Sequence, residues 1–304
     1  MIAVGGEALI DLVIRPDGTV EAKLGGGPFN SARTIGRLGG SVSFLGTLSG
    51  DRFGGMLRHQ LVADAVAIAG ASSELPTTLA AAELDESGAA SYRFYFTATS
   101  APELVDSALP AGTSAIHVGT LGFVFEPMAT TLESMVSHVG DDVLVFVDPN
   151  CRPLVIDDRA AYIARLDRVL ARADVVKIST DDAAYLAPDL TPVELAHRMV
   201  AAGARLVLVT GGSQPAHAVG AHMHLEVPTP RVVVADTIGA GDAFGGSFLH
   251  WWMSNGLGRA ELADQNLVST AIFRANVVAG KTCERVGADP PFLADLDPEW
   301  SGRG

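Results

Sequence analysis

The fold is decided by one stretch of the sequence, Asp236-Thr237-Ile238-Gly239-Ala240-Gly241-Asp242-Ala243-Phe244-Gly245-Gly246. A β-branched run at residues 232–234 precedes it, and residues 244–253 have the apolar spacing of a helix. Glycines before a helix let backbone amides approach a ligand closely, because no Cβ intervenes. Amides at a helix N-terminus bind anions, with the helix dipole behind them. The stretch therefore predicts a strand, an anion-binding turn and a helix.

Asp242 is the unusual residue of this turn. A carboxylate repels phosphate there unless it has a chemical task, such as taking the proton of an attacking hydroxyl. A general base of this kind contributes about 10²–10⁴ in rate. The alternative is that Asp242 only caps the helix. A dinucleotide site is excluded, because Gly239–Gly241 lies near the C-terminus rather than in a first βαβ unit.

A second glycine cluster, Gly25-Gly26-Gly27-Pro28-Phe29-Asn30, opens another helix-like segment. Pro28 suits an early helical position. The side-chain amide of Asn30 would both donate to and accept from hydroxyl groups. The cluster is compatible with a backbone that approaches a ligand closely, and the alternative is a tight turn before a capped helix.

Outside the two clusters, short apolar runs alternate with segments of helical spacing, which predicts βαβ units in a doubly wound, three-layer α/β fold. The predicted buried strands are residues 2–4, 42–45, 115–118, 143–147, 175–178 and 206–209. The predicted helices are residues 28–38, 53–63, 127–138, 159–171 and 192–202. Residues 11–24 and 77–98 break this pattern and predict a small β-sheet lid with one aromatic face and a turn at residues 85–89. The alternative for the lid is an antiparallel edge of the main sheet.

Composition excludes several classes of protein. The chain has 304 residues, 35 acidic and 21 basic, and a formal charge of −14, which disfavours nucleic acid and anionic membranes as partners. Two cysteines cannot form a disulfide framework. The sequence shows neither a signal peptide nor an apolar run of the roughly 18 to 20 residues that a membrane-spanning helix needs, so we expect a cytoplasmic protein.

The motifs together resemble the ribokinase-like (PfkB-type) carbohydrate kinases. Asp-Thr-x-Gly-Ala-Gly-Asp with Ala-Phe-x-x-Gly resembles the C-terminal signature of that family, and Gly-Gly-x-Pro-x-Asn-x-Ala resembles its N-terminal one. Gly50-Asp51-Arg52-Phe53-Gly54 is similar to a further family segment, and the matches run from Gly5 to about Pro290. The resemblance implies a single domain over residues 1–304, with a three-layer α/β/α Rossmann-like sandwich and a small β-sheet lid.

The resemblance also implies site residues. Asp242 matches the catalytic base, and Gly239, Ala240 and Gly241 match the anion hole over the transferred phosphoryl group. The implied substrate-binding residues are Asp11, Gly26, Gly27, Asn30, Arg93 and Arg152. For Arg152 the alternative is a structural ion pair with Asp148.

On the nucleotide side, the matched positions are Lys177, Ser179, Thr210, Gly212, Gly241 and Asn276. Ser179 and Asp182 replace the asparagine and glutamate of a family element that organises Mg²⁺ and phosphates, which suggests a contact of Asp182 with Mg²⁺ through water. Asp236 matches a monovalent-cation site shared with carbonyls near residues 283–287. The alternatives are a strand-end lysine at Lys177 and a solvent-facing asparagine at Asn276.

The implied reaction is transfer of the ATP γ-phosphoryl group to a sugar hydroxymethyl group, with Mg²⁺ and with K⁺ as a candidate activator. The opening Glu7-Ala8-Leu9-Ile10-Asp11 and the segment Asp148-Pro149-Asn150-Cys151-Arg152 are most similar to the fructokinase branch, so fructose is the expected substrate. Alternatives within the family are 2-keto-3-deoxygluconate, ribose and a nucleoside, and the alternative of another class is a non-catalytic sugar-binding regulator. The aromatic lid face predicts a homodimer through the lid.

Overall fold

The apolar runs of the sequence form the centre of a large sheet in the computed structural model, which describes residues 1–86, 90–105 and 108–301. The strands are β1 (Ile2–Gly5), β2 (Leu9–Ile14), β3 (Val20–Gly25), β4 (Val42–Leu45), β5 (Leu48–Ser49), β6 (Ala67–Ile68), β7 (Ser72–Ser73), β8 (Leu79–Leu84), β9 (Ala90–Tyr95), β10 (Ala115–Gly119), β11 (Leu144–Asp148), β12 (Val175–Ser179), β13 (Leu206–Thr210), β14 (Ala216–Gly220) and β15 (Met223–Val227). The helices are α1 (Gly27–Arg37), α2 (Arg52–Ala63), α3 (Met128–His138), α4 (Arg159–Leu170), α5 (Thr180–Leu186), α6 (Pro192–Ala201), α7 (Ala240–Ser254) and α8 (Gln265–Cys283).

The main sheet has the order β15-β14-β13-β12-β11-β10-β1-β4-β6. Strands β6, β4, β1, β10, β11, β12 and β13 pair in parallel, and β14 and β15 complete one edge as an antiparallel pair. Successive residues of a strand pack into the two hydrophobic cores on opposite faces of the main sheet. Phe146 packs with α1, α7 and α8 on one face, whereas Val145 and Val147 pack with α3, α4 and α6 on the other. The predicted three-layer α/β/α architecture is confirmed.

The lid is a sheet of its own, with the order β3-β2-β8-β9, so the alternative of an edge of the main sheet is wrong. Asp51, the N-cap of α2, fixes the base of the lid. Its Oδ1 accepts from the Gly54 amide at 2.8 Å and from the Thr77 hydroxyl at 2.6 Å, and its Oδ2 accepts from the Thr77 amide at 2.8 Å. Residues 87–89 of the predicted lid turn lie outside the described residues.

The predicted strand at residues 232–234 is wrong. Val233 is 86% exposed and Val234 is 58% exposed, and the segment pairs with no strand in the part of the chain that the structure describes. Instead, the amides of Ala235 and Asp236 both donate to the Cys283 carbonyl at the end of α8. The segment is an extended surface connection because its β-branched side chains have no core to enter. Among the described residues, no helix is long and apolar enough to cross a membrane.

Candidate active site

Most of the predicted site residues lie where the parallel strands end. β1, β10, β11, β12 and β13 run in one direction and end at the same edge of the sheet. Ligands of open α/β sheets bind outside this edge. The loops that follow these strands, the start of α1 and the start of α7 form the candidate site.

The residues of the predicted anion hole lie at the N-terminus of α7. Gly239 is the N-cap, in the left-handed conformation with φ of 77°, and Asp242 lies in the first turn. A Cβ at Gly239 would lie 2.6 Å from Ala288 Cβ, so both the backbone angle and the space require glycine. The Ala240 amide donates to the Thr237 carbonyl at 3.3 Å, and the turn as a whole, with the helix dipole behind it, has the arrangement of a phosphate site beside the Asp242 carboxylate.

The two glycine clusters meet at Asp242. Asn30 Nδ2 donates to Asp242 Oδ2 at 2.9 Å, and the Ser31 hydroxyl donates to the Asp242 backbone carbonyl at 3.2 Å. Asn30 is 6% exposed and its Oδ1 has no hydrogen-bond partner within the described residues. The side chain therefore fixes the Asp242 carboxylate and keeps an acceptor, Oδ1, that no other described residue uses.

Asp242 has the electrostatics of a proton acceptor. It is 8% exposed, and burial raises its pKa, although the Asn30 hydrogen bond and the charges of Lys177 and Arg152 oppose the shift. A carboxylate with a raised pKa is a stronger base than one in water. This environment favours proton transfer from a hydroxyl group over a purely capping role.

Asp11 faces the same space from the lid. Burial raises its pKa to about 6, with Arg152 opposing the rise and Asp242 adding to it. A Cβ on Gly25 would lie 2.0 Å from Asp11 Oδ2, so glycine in the neighbouring strand makes room for the carboxylate. The charges of Arg152 and Asp242 act on Asp11, so the three groups lie near one another, and their contacts with substrate stay predictions.

Two further residues of the candidate site were not predicted from the sequence. Thr120 and Asn150 follow β10 and β11 with φ of 54° and 39°, an uncommon conformation for any residue with a Cβ and a strained one for threonine. A Cβ on Gly27 would lie 2.5 Å from Thr120 Oγ1, 3.3 Å from Asn150 Nδ2 and 3.3 Å from Asp242 Oδ1. Three polar atoms thus converge over Gly27. Asn150 stood within a quoted motif, but nothing in the sequence distinguished Thr120.

The two predicted substrate arginines differ in their placement. Arg152 donates to the Asn150 carbonyl and side-chain oxygens at 3.1 and 2.7 Å, and Asp148 pairs with Lys177 instead, so the alternative of an Arg152–Asp148 ion pair is wrong. Arg93 lies in register with Ala81, whereas Asp11 is in register with Ala80 and Phe94. Side chains alternate along a strand, so Arg93 projects from the lid face opposite to Asp11. The structure does not bring it to the site of its own chain.

Lys177 lies beneath the anion hole. It is 3% exposed, and its Nζ donates to Asp148 Oδ2 at 3.0 Å. A Cβ on Gly241 would lie 2.9 Å from this nitrogen. Burial lowers the pKa of Lys177, but the carboxylates of Asp148, Asp182 and Asp242 together outweigh burial and raise it. The alternative of a lysine extending to solvent from the strand end is therefore wrong, and the side chain is a fixed cation.

Ser179 and Asp182 form the N-terminal capping box of α5. Asp182 Oδ2 accepts from the Ser179 amide and hydroxyl at 2.8 and 2.7 Å, and Oδ1 accepts from the Cys151 amide at 2.6 Å. Both oxygens are thus used in holding the loop after β11. The contact of Asp182 with Mg²⁺ through water and the nucleotide contact of Ser179 stay predictions.

The remaining nucleotide positions lie at one side of the sheet edge. Thr210 ends β13, and Gly212 has φ of 57° in the turn that follows. Asn276 is 4% exposed, and its Nδ2 donates to the Pro228 carbonyl at 3.2 Å. The alternative of a solvent-facing asparagine is wrong, because this side chain ties α8 to the segment after β15. The nucleotide contacts of these three residues stay predictions.

The structure brings Asp236 to the loop after α8, as the cation motif implied. Asp236 Oδ2 accepts from the Gly287 amide at 2.8 Å, and Oδ1 accepts from the Ile238 amide at 3.1 Å. The neighbouring Ala288 packs against Gly239. The loop therefore lies directly beside the anion hole.

Comparison with known proteins agrees with this geometry. The family model for the pfkB family carbohydrate kinases matches residues 1–295. The chain belongs to this family. The resemblance derived from the motifs is thereby confirmed, and both glycine-rich motifs of this pfkB-family kinase lie at helix N-termini.

Relatives of this pfkB-family kinase include fructokinases. The fructokinase of Rhizobium leguminosarum bv. trifolii is 33% identical over 258 residues, which cover 82% of this chain and 78% of that protein. The fructokinase of Salmonella typhimurium is 31% identical over 261 residues, covering 83% and 84%. The crystal structure of the Xylella fastidiosa fructokinase with bound ATP has a TM-score of 0.86 at 27% identity and covers 97% of this chain and 96% of that one. The similarity to the fructokinase branch is confirmed.

Proposed function

We propose that this chain transfers the γ-phosphoryl group of ATP to the 6-hydroxyl of fructose, giving fructose 6-phosphate and ADP, with Asp242 as general base. The observation that carries the proposal is the placement of Asp242. Its carboxylate lies in the first turn of α7, next to the anion hole, and is hydrogen-bonded to Asn30 of the glycine-rich α1. The fructokinase relatives support fructose over ribose, 2-keto-3-deoxygluconate or a nucleoside.

On the sugar side, the proposed pocket is bounded by Gly26, Gly27, Asn30, Asp11 and Arg152. The Asp11 carboxylate would accept hydrogen bonds from a pair of sugar hydroxyls, and Asn30 Oδ1 offers a further acceptor. A ligand without those hydroxyls would leave the buried carboxylate unpaired, which disfavours it. The reacting hydroxyl would lie over Gly27, where Asp242 takes its proton as the oxygen attacks phosphorus.

On the phosphate side, the amides of Gly239, Ala240 and Gly241 would donate hydrogen bonds to the transferred phosphoryl group, with Lys177 beneath them. Phosphoryl transfer depends mostly on positioning and on neutralising charge, which these groups supply. Mg²⁺ would enter with the phosphates of ATP and neutralise them. K⁺ would be held by Asp236 and by carbonyls near residues 283–287, although both Asp236 carboxylate oxygens and the Cys283 carbonyl already accept backbone amide hydrogen bonds.

The substrate is tested with the purified chain, ATP and Mg²⁺, using coupled detection of ADP over a panel of fructose, ribose, 2-keto-3-deoxygluconate and nucleosides. We expect the highest kcat/KM with fructose and a product phosphorylated at the 6-position. Absence of turnover with any ketohexose would exclude fructokinase activity. Sugar binding in calorimetry without ADP formation would instead indicate a non-catalytic regulator.

Sugar binding should depend on the charge of Asp11. Its pKa is raised to about 6, so the carboxylate is protonated as pH falls through that value and loses its capacity to accept two hydroxyl hydrogen bonds. We expect the KM for sugar to rise below pH 6 in the wild type, and the KM of Asp11→Asn to be high and independent of pH in this range. The KM for ATP serves as the internal control. A pH-independent sugar KM in the wild type would contradict this role.

The lid is also the proposed site of homodimer formation. The prediction that its whole aromatic face meets a partner needs correction, because Phe96 stacks on Phe125 of the main body with ring centroids 4.2 Å apart. On the same face, Tyr92 stacks on Phe94 and remains 47% exposed. We expect a dimer by light scattering, and a monomer for the variant Tyr92→Lys. An unchanged mass of that variant would place the interface elsewhere.

A further inference from the structure

Glu7 is a buried carboxyl group to which the proposed reaction gives no role. It lies beside Gly25–Gly27, the glycine-rich loop before α1, which we call the sugar loop. It lies in the turn between β1 and β2 and is 1% exposed. Its Oε1 accepts from the Gly27 amide at 3.1 Å. Its Oε2 has no hydrogen-bond partner among the described residues. A buried polar atom without a partner in a folded protein requires a physical explanation.

The turn that carries Glu7 is interlocked with the sugar loop. Gly26 has φ of 110°, and a Cβ there would lie 2.6 Å from the Glu7 backbone carbonyl. A Cβ on Gly6 would lie 2.4 Å from the Pro28 ring. The two backbones therefore touch without side chains between them, and the hydrogen bond from Gly27 to Glu7 joins them. The start of α1, which carries Asn30 toward Asp242, takes its position from this contact.

The charges around Glu7 disfavour a carboxylate anion. The charged groups that act on it are Asp242 from α7 and Arg152 from the loop after β11, of which the first repels and the second attracts negative charge. No cation donates a hydrogen bond to either oxygen within the described part of the chain. Burial raises the pKa of Glu7 to about 8, and the amide hydrogen bonds to it lower the pKa only partly.

We propose that Glu7 is a positioning residue for the sugar loop, and that it holds Gly27 as the neutral acid, so that no second negative charge lies beside Asp242. This inference rests on the proposed sugar-kinase function. Glu7 does not touch the sugar, because its carboxyl group is enclosed. It acts through Gly26 and Gly27, whose backbone the ligand approaches, and through the start of α1.

Two variants of Glu7 separate its role in positioning the Gly27 amide from the effect of its charge. Glu7→Gln keeps an acceptor for the Gly27 amide and the shape of the acid, so its dissociation constant for sugar at neutral pH should equal that of the wild type. Glu7→Ala leaves the amide without a partner, and its sugar binding should be about tenfold weaker or more. Glu261→Gln is the matched control, because Glu261 accepts from the Gly258 amide at 2.7 Å far from the site. Calorimetry with the preferred sugar measures all four proteins.

The pH profile distinguishes this role from a merely structural one. Glu7 binds its proton more tightly in the folded chain than in the unfolded one, because its pKa is raised from 4.5 to about 8. This proton binding stabilises the fold fully below pH 4.5, and the contribution is lost as pH rises through about 8. Glu7→Gln lacks that loss, so its Tm should exceed that of the wild type at alkaline pH, with a difference that shrinks toward acidic pH. Sugar binding of the wild type should weaken above about pH 8 relative to Glu7→Gln.

The outcomes also separate this inference from the proposed function. Hydrogen exchange of the Gly27 amide, which should be faster in Glu7→Ala than in Glu7→Gln, needs neither sugar nor turnover. If no sugar binds any of the proteins, the proposed function fails while exchange and Tm still test Glu7. Glu7→Gln with weakened sugar binding, or with no gain in Tm at alkaline pH, would overturn the neutral acid. Normal sugar binding and slow exchange in Glu7→Ala would overturn the positioning role.

Discussion

We expect the Asp242→Asn variant to bind sugar as the wild type does and to lose about 10² or more of kcat, the amount that a general base contributes. Asparagine keeps an oxygen for the hydrogen bond from Asn30 Nδ2, so the geometry at the start of α1 and α7 is retained. Its amide cannot take the proton of the attacking hydroxyl. The loss should therefore lie in kcat, with little change in the dissociation constant for sugar.

The measurement pairs a coupled ADP assay with calorimetry of sugar binding. Ser31→Ala is the matched control, because it removes a hydrogen bond to the Asp242 backbone carbonyl and leaves the carboxylate in place. Near-normal turnover of Asp242→Asn would remove the base assignment and leave Asp242 as a helix cap. Loss of sugar binding together with turnover would assign Asp242 to substrate binding.

Backbone requirements are the part of this site that the sequence predicts best. Gly239 needs φ of 77° and tolerates no Cβ against Ala288, and Gly26 needs φ of 110° against Glu7. Only glycine meets such demands, so the clusters mark both ligand loops from local sequence alone. The strands behind them were predictable for a similar reason, because a strand covered on both faces is apolar at nearly every position.

The rest depends on contacts between distant segments. Lys177 is a fixed cation only because β11 places Asp148 beside it, and Thr120 lines the pocket only because α1 brings Gly27 to it. The strand register decides from which face of the lid the Arg93 side chain projects, because a shift of one residue along β9 moves a side chain to the other face. The apolar pattern also wrongly predicted a strand at residues 232–234, which pair with no strand among the described residues. None of these outcomes is encoded in a short window of sequence.

The second large effect is expected at Lys177. Lys177→Met leaves the Asp148 carboxylate buried without its cation, which costs about 3–5 kcal/mol of the free energy of unfolding. It also removes the positive charge beneath Gly241, so kcat should fall by about 10², as for the loss of a single group that stabilises transition-state charge. Unfolding in urea and steady-state kinetics measure the two losses separately.

The double variant Lys177→Met with Asp148→Asn separates the two roles of this lysine. Removing both charges relieves the buried anion, so stability should recover by most of the loss, whereas kcat should stay low because the anion hole still lacks its cation. Arg168→Met, which breaks the exposed pair with Glu133 at 2.5 Å, is the control and should change stability by less than about 1 kcal/mol. Recovery of kcat in the double variant would mean that Lys177 serves only to neutralise Asp148. Phosphate would then be held by the amides of α7 and the metal ion alone, and a chain of charge −14 would bind ATP without a protein cation beneath its anion hole.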